Sequence, residues 1–460
     1  MQLFEHQKRG VDFFRANNGK GAFFWDVGCG KTIAALAAYQ ACRQIVPRLK
    51  LFIVCPISLI ESAWINDAHR FSGMRCQNLR KGFNTDVDLL AVNFATLISK
   101  NFTPTLKRIL QMPDVMIVVD ESQRLKSHNS KTSKYMLALA PRFQYKLILT
   151  ATPAPNSPLE YWTQIVFLSP SIFPQNFYAF RNKYFELARG ASAIPLSGLG
   201  RKEMQMLMQR GYKIRLRKQK LFQKKLSGIC QFIKKRDVLD LPDELDEIRV
   251  VDMTDKQRKA FKAMQKDLVA EIENTQISAY TALIKLMKLR QISAGFAYAR
   301  DKEVVPFKTN PKMNELDAIL SEIGPQKVMI FCQFKWTIRT ICEKYSEAKS
   351  LYADTPDKDA NIKWFTRASK GYLVAHPLSA GVGLSFNDCD YMIFYSMDYS
   401  YMNYYQCRGR IVRANKKNNA TFIHILARGS LDQQIMEAVK KKQTNDDLFR
   451  SAMKKLKETL

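Results

Sequence analysis

Three groups of residues in this 460-residue chain have types and spacings suited to chemistry on a polyphosphate. The first is Gly28, Cys29, Gly30, Lys31 and Thr32, which follow the apolar run GAFFWDV and precede an alanine-rich stretch that favours helix. Strand, glycine turn and helix in that order make a phosphate cradle. Glycines let backbone N–H groups converge on phosphate at a helix N-terminus, Lys31 can neutralise the β and γ phosphates of ATP, and Thr32 can hold Mg2+. Trp25 stands where the full G-x-x-x-x-G-K-[ST] pattern has its first glycine, so a structural glycine turn is the alternative.

The second group is Asp120 and Glu121, which end the apolar run VMIVVDE. A magnesium-holding carboxylate and a water-activating carboxylate belong at such a strand end. Acidic pairs are common on surfaces, but after an apolar strand ionised groups are placed only where something compensates them. The third group is Gln406, Gly409, Arg410 and Arg413, spaced Q-x-x-G-R-x-x-R. The i, i+3 spacing predicts that Arg410 and Arg413 share a helix face from which they could reach a transferring phosphate; the alternative is a solvated charged face.

These residues need a scaffold, and the hydrophobic pattern supplies one. GAFFWDV, LKLFIVCP, DLLAVNF, VMIVVDE and YKLILTATP read as buried strands alternating with helical stretches over the first 160 residues. A second series follows residue 325: KVMIFCQF, GYLVAHPL, DYMIFYS and TFIHILA. The fold class expected is therefore α/β, with two parallel-sheet lobes at 1–168 and 309–460. Between them, residues 169–308 lose the strand signal and read as a basic helical insert and linker. Within it, MTDKQRKAFKAMQKDLVAEIE has Thr254 as N-cap and apolar positions at 261, 264, 268 and 269, and Met204, Met206 and Met208 read as core filling. The C-terminal stretch from Ser430 is expected to form one or two helices ending in a basic tail.

Composition points to the partner. Lys and Arg total 72 against 42 Asp and Glu, giving a formal charge of +30 that attracts polyanions and releases their counterions. The charge clusters: Arg201 to Arg236 holds thirteen Lys or Arg and one acid, Glu203, with Tyr212, Phe222 and Phe232 interleaved. Arg215, Arg217, Lys218 and Lys220 are its candidate phosphate contacts. The nine cysteines are scattered singly without zinc spacing and read as small core residues in a reducing compartment. MQLFEHQKRG lacks a secretion signal and no run of about twenty apolar residues occurs, so a soluble intracellular protein is expected, with no membrane partner.

In order along nearly the whole chain, these segments resemble the motifs of superfamily 2 helicases, and more narrowly of SWI/SNF-type translocases. LFEHQKRGVDFF resembles the adenine-reading segment, DVGCGKT motif I, CPISLIESAW motif Ia, DESQRLK motif II and TATPAPNSPLEYW motif III. KVMIFCQF resembles motif IV, SAGVGLSF motif V and QCRGRIVR motif VI, while KLMKLRQISAGF resembles the helix that SWI/SNF proteins carry before their second lobe. The resemblance implies two RecA-like lobes with ATP and Mg2+ between them. Gln7 would sit on adenine, Gly28, Gly30, Lys31 and Thr32 on phosphates, and Thr32 and Asp120 on the metal. Gly383, Arg410 and Arg413 would come from the second lobe. It also implies DNA contacts at Ser58, Gln333 and Ser379. Motif II departs from many relatives at Ser122 and Gln123, where they have Ala and His, and motif III reads T-A-T instead of T-G-T. The catalytic set Lys31, Asp120, Glu121, Arg410 and Arg413 is intact.

The expected activity is a DNA-dependent ATPase that moves along duplex or branched DNA as a monomer. An RNA helicase and a binding module with a vestigial motor are the competing readings; the long insert argues against the first and the complete ATP chemistry against the second. TATPAPNSPLEYWTQIVFLSPSIFP and SAGVGLSF look closer to the annealing-helicase branch of the SWI/SNF-type family than to its chromatin remodelers, and phage branch-migration helicases offer a similar compact plan, so remodelling of branched DNA by fork regression or branch migration is expected. The expected compartment is the cytoplasm of a bacterium or phage-infected host, or the nucleus of a eukaryote.

Overall fold

The computed structural model describes residues 2–273, 279–298, 303–380, 385–413 and 416–443. The chain forms two compact units that divide between Leu239 and Asp240. In the first, α1 (Glu5–Ala16), β1 (Lys20–Trp25) and α2 (Lys31–Arg43) lead to β2 (Lys50–Cys55), β3 (Cys76–Asn78), β4 (Leu89–Asn93), β5 (Val115–Asp120) and β6 (Tyr145–Leu149). Strands β7 (Phe185–Arg189), β8 (Ser192–Pro195) and β9 (Lys213–Leu216) make a small antiparallel sheet, and β10 (Cys230–Ile233) returns to the main one. The main sheet runs β10-β1-β6-β5-β2-β4-β3, every pair parallel.

The second unit contains β11 (Glu244–Val251), a hairpin of β12 (Phe296–Tyr298) and β13 (Val304–Pro306), and then β14 (Lys327–Phe331), β15 (Ala348–Leu351), β16 (Gly371–Ala375), β17 (Tyr391–Phe394) and β18 (Ala420–Ala427). Its parallel sheet runs β11-β18-β17-β14-β16-β15. All nine strands expected from apolar runs are present. Their residues are buried almost throughout, because helices cover both faces of such sheets and leave no polar side to interrupt the run.

The segment 169–308 differs from the strand-free insert read in the sequence. Strands β7 to β13 all lie in it; β10 completes the first unit's sheet and β11 the second's. Strand β10 is only four residues long, and β11, ELDEIRVV, carries charges that ion pairs absorb. Arg249 of β11 pairs with Glu247 and Glu322, while Glu244 and Asp246 pair with Arg408. Neither strand presents the apolar run that marks the others.

The helix Asp255–Glu273 forms as expected, opened by a reciprocal cap: Gln257 N–H donates to Thr254 Oγ1 at 3.3 Å and Thr254 N–H to Gln257 Oε1 at 3.0 Å. Phe261 and Leu268 of that helix are buried. Of the methionine stripe only Met204 packs on the core. Met206 and Met208 are 53% and 47% exposed, since the helix Arg201–Gln209 packs only through neighbours such as Met204 and Leu207. The nine cysteines are free thiols and seven are buried. The C-terminal stretch is helical over 431–443, and the remainder of it lies outside the described residues. No helix among the described residues is long and apolar enough to cross a membrane.

Trp25 explains the missing first glycine of the phosphate-binding pattern. It ends β1 fully buried, donates its indole N–H to Gln231 Oε1 of β10 at 3.1 Å, and lies against Phe23 with ring centroids 4.5 Å apart. Helix α1 crosses it so closely that a Cβ on Gly10 would fall 2.6 Å from the indole. Trp25→Gly, which completes the pattern on paper, is expected to destabilise the fold by about 4 kcal/mol or more, as large-to-small core changes do. Urea denaturation measures this; a loss under about 1 kcal/mol would show that the indole is dispensable.

Candidate active site

In a parallel sheet every strand ends on the same edge. Here that edge collects the turn after β1, the segment after β2, the acidic pair ending β5 and the Thr150–Pro153 turn after β6. The chain leaves Trp25 through Gly28 at φ 92° and Gly30 at φ 69°, left-handed conformations that a side chain disfavours. Gly30 is the N-cap of α2, so the first N–H groups of that helix lie beside the glycine turn. A second constraint acts on Gly30: a Cβ there would sit 2.2 Å from Gln7 Nε2.

Gln7 is buried on α1, where its Nε2 donates to Gly30 O at 3.2 Å and its Oε1 accepts from Phe4 N at 2.9 Å. Beside it, His6 Nε2 lies 2.9 Å from Cys29 O. Two side chains of α1 thus fasten the loop. Lys31 folds back, its ammonium donating to the carbonyls of Trp25 at 2.9 Å and Asp26 at 3.0 Å. Burial pushes its pKa down, against the attraction of Cys29, Glu121, Asp120 and Asp26. Thr32 follows in the first turn of α2, half-buried.

The acidic pair is held with equal care. Asp120 Oδ2 accepts the indole N–H of Trp64 at 3.0 Å, and Oδ1 accepts the backbone N–H of Glu121 at 2.9 Å. Burial, and then the charge of Glu121, push the Asp120 pKa up. Glu121 adopts φ 54°, and a non-glycine residue in that region costs on the order of 1 kcal/mol. The strain turns the chain sharply after β5, while Glu121 Oε2 accepts from Gln123 Nε2 at 2.7 Å. The donor set fits a nucleoside triphosphate with a divalent cation: a glycine turn in left-handed conformations at a helix start, an inward lysine, a threonine in the first turn and a buried carboxylate disfavoured as an isolated anion.

Two residues of this arrangement, Trp64 and Gln164, escaped the sequence reading. Trp64, within CPISLIESAW, lies in a π-helical stretch at Ile60–Ile65 and holds Asp120 from across the sheet. Ser122 donates to Gln164 Oε1 at 2.8 Å, and Gln164 Nε2 donates to Pro153 O at 2.7 Å. The serine departure in motif II is thereby hydrogen-bonded, through one glutamine, to the Thr150–Pro153 turn. Gln164 stands beside Thr163 in a mostly apolar helix and nothing local marks it.

Of the residues assigned by resemblance to nucleic acid, Ser58 is exposed just after β2. In the second unit Gln333 follows β14, its N–H donating to Ser396 Oγ at 2.9 Å, and Ser379 follows β16, its N–H donating to His376 O at 2.9 Å. Both lie at the C-terminal edge of that unit's sheet. Gly383 lies outside the described residues.

The arginine pair requires a correction: Arg410 and Arg413 do not share a helix face. The helix Tyr401–Arg408 is capped by Gly409, and both arginines fall in the turn beyond it, where Arg413 Nε donates to Gly409 O at 3.1 Å. Arg410 is buried. The helical arginine is Arg408, and it serves packing: its guanidinium lies 3.7 Å from the Phe422 ring centroid and pairs with Glu244 at 3.0 Å and with Asp246.

The basic segment is also less uniform than its sequence. Arg215 on β9 pairs with Glu186 of β7 at 2.7 Å, and Phe222 is a buried core residue stacked 5.3 Å from Phe173. Arg217, Lys218 and Lys220 are exposed.

A family model described as SNF2-related domain matches residues 6–295, and one described as helicase conserved C-terminal domain matches 311–415. A protein named p41 from Acyrthosiphon pisum secondary endosymbiont phage 1 is 26% identical over 97% of this chain and 96% of its own length. The SWI/SNF-related matrix-associated actin-dependent regulator of chromatin subfamily A-like protein 1 of Xenopus laevis is 22% identical over 96% of this chain and 43% of that protein. An uncharacterized ATP-dependent helicase of Mycoplasma genitalium is 24% identical over 96% and 41%. The chain thus spans less than half the length of these last two relatives. A solved Sulfolobus solfataricus SWI2/SNF2 ATPase core in complex with dsDNA aligns with 98% of this chain and 92% of its own at 22% identity and a TM-score of 0.43.

Lys31→Ala is expected to abolish nucleotide hydrolysis, and Glu121→Gln to abolish turnover while sparing nucleotide binding, because only the first variant alters the cradle. Arg413→Ala should lose on the order of 10³-fold in rate. Steady-state phosphate release and a fluorescent-nucleotide titration check these, and turnover retained in Lys31→Ala would refute the site.

Proposed function

We propose, from the premise that this chain belongs to the SNF2-related domain family, that it is an ATP-driven motor that tracks along duplex DNA and remodels branched DNA by fork regression or branch migration. The observation that carries the reading is the single sheet edge that collects Gly28 to Thr32, Asp120, Glu121 and the Thr150–Pro153 turn. In this reading Gln7 reads adenine, the glycine turn and α2 hold the phosphates, and Lys31 leaves its two carbonyl partners to neutralise the β and γ groups. Thr32 and Asp120 would hold Mg2+, which would offset the negative charge that develops on the phosphates. Glu121 orients and deprotonates the attacking water. Gly383, Arg410 and Arg413 are the second unit's contribution.

Hydrolysis is put to use on DNA through Ser58, Gln333, Ser379 and the exposed cations of the basic segment. Contacts of this kind grip the phosphate backbone without reading sequence. Moving a branch point exchanges one set of base pairs for another at almost no net cost, as in other strand exchanges, so a duplex-tracking motor needs no large strand-separating module to do it. The second reading, translocation that displaces bound proteins, uses the same chemistry. The monomer is the working form proposed, in a bacterial or phage-infected cytoplasm.

Given ATP, a four-way junction with homologous arms, a model fork and a blunt duplex of equal length, the protein should process the first two. Prompt unwinding of the linear duplex alone would sink branch remodelling while leaving the motor intact. Neutralising Arg217, Lys218 and Lys220 together should flatten the slope of log affinity against log salt by about 2 to 3, at roughly 0.9 for each DNA phosphate no longer neutralised. Arg215→Gln, which breaks the pair with Glu186, should leave that slope nearly unchanged; equal slopes in triple variant and wild type would show these cations to be merely solvated.

A further inference from the structure

Four lysines are buried to 5% exposure or less among the described residues: Lys146, Lys312, Lys327 and Lys416. Three have a carboxylate. Lys312 pairs with Asp432 at 2.6 Å, Lys416 with Asp390 at 2.6 Å and Lys327 with Asp388. Lys146 has none; its ammonium donates only to Ala140 O, at a long 3.3 Å, and lies 5.9 Å from the Phe167 ring centroid. A buried charge is normally paired, since stripping its water without a counter-charge is costly.

The strand register makes this worse. Lys146 on β6 stands directly beside Lys20 on β1 in the parallel ladder, so two like charges face each other on one side of the sheet. Burial, and then the charge of Lys20, push the Lys146 pKa down to about 8. Both lysines line a cavity of about 760 Å3 at the N-terminal edge of the sheet, the edge opposite the nucleotide residues. Arg142 lines it as a third cation and Asp114 as an acid, while Ile109, Leu110, Met112 and Phe143 form apolar wall. The volume is in the range of small-molecule sites, which typically combine apolar lining with a few convergent polar groups.

We infer that this cavity is a binding site for a small organic anion, its carboxylate or phosphate head set between Lys20 and Lys146 and its apolar body against Ile109, Met112 and Phe143. The head supplies the counter-charge that the other three buried lysines find within the chain. Arg142, exposed at the rim, adds attraction without being enclosed.

The test uses the full chain with saturating MgADP to fill the nucleotide site, and calorimetric titration with octanoate, phenyl phosphate and 1-octanol. Octanoate or phenyl phosphate should bind and 1-octanol should not; the stronger of the first two identifies the head group. Lys146→Met keeps the side chain's length and removes its charge, and should weaken binding tenfold or more. Lys20→Gln, at a half-buried position that tolerates the change, should weaken it several-fold. Without any anion, Lys146→Met should melt at or above the wild-type temperature, because it removes an unpaired buried charge. Failure of both anions to bind, binding by 1-octanol equal to that of octanoate, or unchanged affinity in both folded variants would overturn the site. So would a clear fall in the melting temperature of Lys146→Met, which would make the lysine a stabilising part of the core.

Discussion

Parallel pairing of β1 with β6, and of β6 with β5, is the constraint from which both ends of the first unit take their character. The register sets Phe23 beside Leu149 and Leu149 beside Asp120, so the strands run out together and the glycine turn, the acidic pair and the Thr150–Pro153 turn emerge side by side. The same ladder, followed to its start, sets Lys20 beside Lys146. One hydrogen-bonding pattern therefore gathers carboxylates at one edge and uncompensated cations at the other. A one-residue slip would turn each of these side chains to the opposite face.

Much of this was legible because burial on both faces leaves an uninterrupted apolar signature. GAFFWDV, VMIVVDE and YKLILTATP each announce a strand and, at its end, the residues that matter; Gly28, Gly30 and Lys31 needed only the strand before them and the alanine-rich helix after. Elements stabilised by ion pairs were not legible. Strand β11 looks like a charged loop until Arg408 is seen against Glu244 and Asp246. Helical spacing also misled at Arg410 and Arg413, because a periodicity argument assumes that the helix continues, and it stops at Gly409.

Residues that act through another residue were hidden for a different reason. Gln164 has no motif of its own; its part in the site exists only because the fold brings its amide between Ser122 and Pro153. Trp64 lies within CPISLIESAW, where no spacing marks it, and its indole N–H is a fixed donor to Asp120. Trp25 is the converse case. A position that a pattern reserves for glycine carries the largest side chain, because packing against Gly10 and β10 dominates at the strand end and the cradle keeps its shape from Gly28 and Gly30.

The catalytic edge holds its groups in states that a bound nucleotide and cation would relieve. Asp120 is desolvated and repelled by Glu121, Glu121 sits in a strained backbone conformation, and the Lys31 ammonium is turned in against carbonyl oxygens. The first two are unfavourable taken alone, and burial disfavours the charge of Lys31 although the carbonyls stabilise it. In the proposed reading a triphosphate with its cation would supply counter-charges at once, positive beside Asp120 and negative beside Lys31, so part of the interaction energy would go to relieving strain already present in the chain. Asp120 and Glu121 meanwhile stay fixed by Trp64 and Gln123. Fixed, desolvated groups need little reorganisation as charge develops on the transferring phosphate, which is the property that electrostatic catalysis requires of a site.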